Sequence, residues 1–160
     1  MIRDSLNYSI LKAKIRESEE FTKNVMEGIR KIKDAKVLKI GNGSFHESGD
    51  NMVDCIFTVN DKRFSISTFY ISSARKIINF TDPDVFKRYF LNLASEISNN
   101  NFEKSFLVFN QKVDEDTAFK SLFNSTMIIL DKKISQKVIL ASGSLEDINT
   151  TIVNEISPKP

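Results

Sequence analysis

The chain is poor in the residues that carry most recognisable chemistry. Its 160 residues include one cysteine, Cys55, and one histidine, His46. A single cysteine excludes an intramolecular disulfide and any cysteine-rich zinc site. A single histidine excludes every mechanism or metal site that requires two. Tryptophan is absent, and there are only 5 glycines and 3 prolines. No apolar run approaches the ~18–20 residues that a membrane-spanning helix needs. Residues 1–20 carry charges throughout and hold no continuous apolar block, so no export signal is expected. The lone thiol suits a reducing compartment, which makes the cytoplasm the expected location. Net charge is only +2, far from the field of a dedicated nucleic-acid binder.

What is present describes a folded domain. Hydrophobic residues make up 41% and charged residues 28%, close to globular averages, which rules out wholesale disorder. A chain of this length buries a core without disulfides or a structural metal. That core is built from 19 Ile and 13 Phe, types that favour pleated, half-buried surfaces, so a sheet should organise it. The 14 Asn, 18 Ser and 17 Lys against 6 Arg suggest an AT-rich coding sequence, a compositional association with bacteria and their phages.

Residues 3–33 read as helix, with Leu6, Ile10 and Ala13, then Phe21, Val25, Ile29 and Ile32, on an apolar stripe. Charges at Arg16, Glu17, Glu19 and Glu20 interrupt it, and Ser18 offers a cap, so either one helix or two is allowed. Ala35 to Ile40 fits a strand. Val53, Cys55, Phe57 and Val59 alternate within 52–59. Asn60-Asp61 then turns the chain into 63–71, which predicts an antiparallel hairpin over 52–71. A helix starts near Thr81-Asp82-Pro83-Asp84 and presents Val85, Phe86, Tyr89, Phe90, Leu93 and Ile97 on one face. Asn99-Asn100-Asn101 ends it. Residues 102–110 hold a buried strand, 114–123 a short helix with Ala118, Phe119 and Leu122 inward, and 126–130 and 137–141 two further strands. Ser144 and Asp147 have capping-box spacing before a helix over 145–156.

The expected architecture is α+β, in the order α-βββ-α-β-α-ββ-α. A mixed, mostly antiparallel sheet of five to six strands is flanked by helices in a single domain over 1–156. That domain comprises the long helix 3–33 and a sheet region 35–156, with residues 157–160 as a frayed tail. The strand–helix–strand over 103–130 allows a parallel pair.

A helix, three strands, then helix and strand is an order that resembles the core of the PD-(D/E)xK nuclease fold. The resemblance implies an acid on the second strand and an acid-x-Lys triplet on the third, together holding a divalent metal for phosphodiester hydrolysis. Asp54 stands where the first acid belongs. Ser65-Ile66-Ser67 occupies the centre of the third strand, and one acid does not fix a metal that activates water. The resemblance, which is in element order only, therefore implies an inactive relative or a coincidence of topology. A metal-dependent hydrolase centred on Asp54 is the third functional reading.

Other constellations have plain structural explanations. His46, Glu47, Asp50 and Asp54 crowd the 41–54 loop, whose Asn, Ser, Gly and Asp serve turn geometry. Cys55 lies on an alternating apolar face, as a small core residue does. Gly41-Asn42-Gly43-Ser44 lacks the Lys-Ser/Thr and helix of a P-loop. Ser142-Gly143-Ser144 before a helix could hold an anion, although capping accounts for it. No catalytic residue, metal or cofactor is expected.

Charge and aromatics remain. Residues 1–40 carry a net +4, densest over Arg30, Lys31, Lys33, Lys36 and Lys39. These residues would meet phosphates or an acidic surface. Phe69, Tyr70, Phe86, Tyr89 and Phe90 exceed what one strand face and one helix face bury, which marks them as candidate docking anchors. The leading expectation is a cytoplasmic, non-enzymatic module that docks on and occludes another protein, as inhibitors, immunity proteins and phage accessory proteins do. The alternative is a nucleic-acid-binding accessory protein using the basic end of the first helix. No membrane contact is expected, and self-association into a homodimer stays open.

Overall fold

The structure, a computed structural model, describes residues 2–40, 53–71 and 83–157. In chain order it contains α1 (Ile2–Arg30), β1 (Ala35–Ile40), β2 (Cys55–Val59), β3 (Lys62–Phe69) and α2 (Pro83–Asn100). These are followed by β4 (Lys104–Phe109), α3 (Thr117–Ile129), the single turn α4 (Lys132–Ser135), β5 (Val138–Ser142) and α5 (Leu145–Ile156). The fold is the expected α+β arrangement of a five-stranded sheet flanked by helices.

Helix α1 runs unbroken through the charged stretch at 16–20. Ser18, Phe21, Thr22, Val25, Met26 and Ile29 are all buried. Their i, i+3, i+4 spacing sets one continuous stripe on the sheet, and Ser18 lies inside that stripe, not at a helix start. Asp34, in the left-handed region at φ 65°, then turns the chain into β1.

The sheet order is β1-β2-β3-β4-β5. Strands β1, β2 and β3 form an antiparallel meander, while β3–β4 and β4–β5 are parallel. The sheet is thus evenly mixed, with helical crossovers supplying each parallel connection. The hairpin between β2 and β3 is as expected. Asn60 and Asp61 both take positive φ, 51° and 67°, the geometry of the two-residue turn whose twist matches paired strands.

One local reading is overturned. Residues 126–130 are not a strand: α3 continues to Ile129, with Leu130 as its C-cap. The β-branched, apolar content of TMIIL resembles a buried strand, yet Phe119, Thr126 and Leu130 are buried at helical spacing. Leu122, Phe123 and Met127 pack beside them. The 3.6-residue period prevails because this face covers the sheet. Ala118 is on the exposed side of the helix. The parallel partner of β4 is consequently β5.

Helices α1 and α5 cover one face of the sheet and α2, α3 and α4 the other. The first core joins Val25, Ile29, Phe57, Phe64, Phe106 and Ile152. The second is an aromatic cluster. Phe69 stacks on Phe109 at 4.8 Å and meets Tyr89 edge-on at 5.5 Å. Phe86 and Phe90 lie 4.8 Å apart, with Phe119 edge-on to Phe86 at 5.8 Å. Four of the five candidate docking anchors therefore belong to the core: Phe69 is 9% exposed, Phe86 0%, Tyr89 6% and Phe90 1%. Tyr70 is half-buried and packs on the opposite face of the sheet, near Phe21. Their number reflects a phenylalanine-filled interior, and these side chains do not form a surface patch. Among the described residues, no helix is long and apolar enough to cross a membrane.

Phe90→Ala should lower unfolding free energy by about 3–5 kcal/mol, the cost of emptying a full aromatic site, as read from the urea midpoint of the full chain. A free surface residue at this position would leave that midpoint unchanged.

Candidate functional site

Asp54 precedes β2, and its backbone N–H donates to the Ile66 carbonyl at 2.8 Å. Its carboxylate is buried, at 4% residue exposure. Oδ2 accepts from the Thr68 N–H at 2.7 Å and from the Thr68 hydroxyl at 3.0 Å. The Thr68 and Thr22 hydroxyls are 2.6 Å apart; because Thr68 gives its proton to Asp54, Thr22 donates to Thr68, with the Ser18 carbonyl, 3.1 Å away, as the alternative acceptor of the same proton. One carboxylate thus ties the start of β2 to the end of β3 and, through two threonines, to α1. The residues beside Asp54 on β3 are Ile66, Ser67 and Thr68, so isoleucine and threonine flank the serine where the resemblance calls for an acid and a lysine. Among the described residues no three His, Cys, Asp or Glu side chains gather. His46, Glu47 and Asp50 lie outside the described residues.

This polar chain is one of three that β3 anchors. Ser65 donates to the Ser105 hydroxyl at 2.6 Å across the β3–β4 pair. Ser67 lies beside the Tyr89 side chain, whose hydroxyl is shifted well above the usual phenol range by burial, with Ser67 opposing the shift. Cys55, next to Asp54, is fully buried. Burial, reinforced by the Asp54 charge, pushes its thiol up to about 12, against a smaller lowering from Arg30. It is protonated at neutral pH and is no nucleophile.

The basic residues are on the surface. Arg30, Lys31, Lys33 and Lys36 are exposed, and Arg30 pairs with Glu27 at 3.4 Å. Both partners are about half exposed, so this pair adds little stability. Lys36 pairs with Thr58 and Thr58 with Arg63, which sets a Lys–Thr–Arg row across three strands. Lys39 sits in β1 beside Ile56; its side chain lies outside the described residues.

Sequence reasoning missed a groove between the end of α1 and α5. It has a volume of about 1000 Å³. Its apolar lining comes from Ile32, Val59, Leu145, Val153 and Ile156, and its charged lining is balanced, Lys31 and Lys33 against Glu27 and Asp34. Leu145 and Val153 are 39% and 42% exposed. Helix α5 buries Ile148 and Ile152 in the core and turns Leu145, Asn149, Val153 and Ile156 towards the groove. That second stripe, at i, i+4, i+8 and i+11, was the available signal. The helices cross closely at Gly28, where an added Cβ would collide with the Asn149 amide. Ser142-Gly143-Ser144 makes a capping box: Asp147 N–H donates to Ser144 Oγ at 3.1 Å, and Ser144 N–H to Asp147 Oδ2 at 3.3 Å. Asp147 itself occupies the end where an anion would sit.

Two outcomes follow from this geometry. Asp54→Ala removes a buried acceptor from two Thr68 donors and should cost about 2–6 kcal/mol, since each buried donor left unmet costs about 1–3 kcal/mol. Chemical denaturation of the full chain measures it. Cys55 should resist a thiol-specific reagent at pH 8 in the native state and react fully once unfolded, because folding holds its pKa near 12. Rapid native reaction would contradict its burial.

No protein-family model matches the chain, and no curated protein matches it. Among solved structures the chain is similar to the structure of Pyrococcus furiosus SfsA in complex with Ca2+, at 10% identity and a TM-score of 0.39. The match covers 76% of this chain and 53% of that one, so the chain spans about half the length of that structure.

Proposed function

We propose that this protein is a small cytoplasmic binding module that docks on another protein through the α1–α5 groove. The groove carries the reading: partly exposed aliphatic side chains form an apolar floor beside Lys31 and Lys33. This combination suits an interface in which a partner's aliphatic or aromatic side chains enter the groove and its charged residues meet a mixed rim of Lys31, Lys33, Glu27 and Asp34. The docking expectation keeps its mechanism, occlusion by an apolar patch with a charged rim, but on different residues. Fully buried Phe86 and Phe90 cannot reach a partner without unfolding α2. The buried, reducing-compartment style of Cys55 supports the cytoplasmic setting.

Nucleic-acid binding is the second reading. It is favoured by the exposure of Arg30, Lys31, Lys33 and Lys36 at one end of the molecule, where Arg63 extends the row begun by Lys36.

One experiment separates the two. Tagged full-length protein is used for capture from a matched lysate with and without nuclease, beside the variants Val153→Asp and Leu91→Asp. Leu91 is 45% exposed and belongs to α2 on the opposite layer, so it serves as the control. A stoichiometric protein that survives nuclease, is lost with Val153→Asp and is kept with Leu91→Asp is the expected result. Equal retention by both variants would reject the groove. Partners that vanish with nuclease, together with an affinity whose log–log salt slope falls by about 0.9 per neutralised lysine, would transfer the function to the basic end.

A further inference from the structure

The two edges of the sheet are built differently. Edge strand β1 carries Lys36 and Lys39, and its pairing register shifts between Val37 and Lys39. Charge and irregularity of this kind block further strand addition. Edge strand β5, of sequence VILAS, has no charge and no proline, and its register with β4 is continuous over all five residues. Among the described residues no strand lies on its outer side.

The hydrogen bonds fix which backbone groups of β5 face outward. Ser105 N–H donates to the Lys137 carbonyl and Gly143 N–H to the Phe109 carbonyl. In a parallel ladder this directs the groups of Lys137, Ile139, Ala141 and Gly143 towards β4. The N–H and C=O of Val138, Leu140 and Ser142 therefore point away from the sheet. Those three positions are self-complementary about Leu140. In an antiparallel pairing with a second copy, Leu140 faces Leu140, and Val138 faces Ser142 twice, each pair exchanging two hydrogen bonds. Ile139 and Leu140 are only half-buried in the single chain, and the pairing would cover them.

Charge agrees with this direction. At the N-terminal end of β5, Lys132, Lys133 and Lys137 outnumber Asp131. At the C-terminal end, Asp114, Glu146 and Asp147 outnumber Lys112, which also reaches Gly143. An antiparallel partner places the basic end of each copy beside the acidic end of the other, twice by symmetry. A parallel partner would set like charges together. Ile128, 84% exposed, and Ile129, 59% exposed, end α3 just before α4, on the side of the chain that enters β5.

We propose that β5 is a homodimer interface, at which two copies of this chain join edge to edge in antiparallel register centred on Leu140, giving one continuous ten-stranded sheet. This does not depend on the groove, which lies at α1 and α5.

Sedimentation of the full-length protein over a range of concentrations should show a reversible monomer–dimer equilibrium. Leu140→Cys should give a covalent dimer on mild oxidation, since Cα atoms of a hydrogen-bonded antiparallel pair lie about 5.5 Å apart, within disulfide reach. The wild type, with Cys55 buried, should not. Reversing the basic end (Lys132→Glu with Lys133→Glu) should raise the dimer dissociation constant about tenfold at low salt. Mixing that variant with Glu146→Lys should restore a heterodimer. A monomer at every concentration would overturn the proposal, as would a dimer that neither cross-links through Leu140→Cys nor responds to the charge reversals.

Discussion

Everything in this molecule is arranged around β3, a strand with no solvent-facing side beyond its first two residues, Lys62 and Arg63. Phe64 to Phe69 are all buried, and the strand pairs antiparallel with β2 on one edge and parallel with β4 on the other. A strand covered on both faces usually reads as a continuous aliphatic run. This one carries Ser65, Ser67 and Thr68, and each buried hydroxyl needs a partner inside the protein. These contacts are spread across the fold: Ser65 bonds Ser105 on β4, Thr68 bonds Asp54 just before β2 and Thr22 on α1, and Ser67 lies beside Tyr89 on α2. The polar groups of one strand thus set the positions of both helical layers.

The Asp54 carboxylate is the strongest of these links because it is charged and bonded to a backbone and a side-chain donor of the same residue. It fixes where β3 ends and where α1 crosses. With that crossing set, Gly28 lets α1 approach α5 closely beside Asn149, and both residues line the groove at this crossing. The surface features follow from the same frame. The meander places lysines on β1, whereas the parallel crossovers leave the uncharged β5 as the opposite edge. Ten of the eleven phenylalanines among the described residues are buried, so these residues leave little aromatic surface for recognition, and contact with other molecules passes to their aliphatic and charged groups.

The local elements were legible in the sequence where their signals were local. The Asn60-Asp61 turn, the Ser144–Asp147 capping box and the Asn101 helix end, at φ 54°, each depend on residues within a few positions. The TMIIL segment was not legible from propensity, because isoleucine and methionine serve either state and only the contacts of Phe119 to Leu130 with α2 and the sheet choose the helix. The aromatic residues were misread for a related reason. Composition shows a surplus over what two faces can hold, but not that α3 adds a third aromatic wall through Phe119 and Phe123. Asp54 was found at its strand position, while its partners, 14 residues on at Thr68 and on another element at Thr22, were invisible. The groove joins residues more than a hundred positions apart, so the second stripe on α5 signals an unfilled face but not that the end of α1 lies beside it.

The central claim is that Asp54 is a structural clamp on Thr68. A double-mutant cycle of Asp54→Asn and Thr68→Val, read by equilibrium denaturation of the full chain, tests it most directly. Residues that share a buried charge-assisted bond couple, whereas independent sites add within about 0.3–0.5 kcal/mol. The account predicts a coupling of about 1–2 kcal/mol, with each single substitution destabilising. Additive effects, with Asp54→Asn leaving stability unchanged, would contradict it and return Asp54 to the role of a free acid.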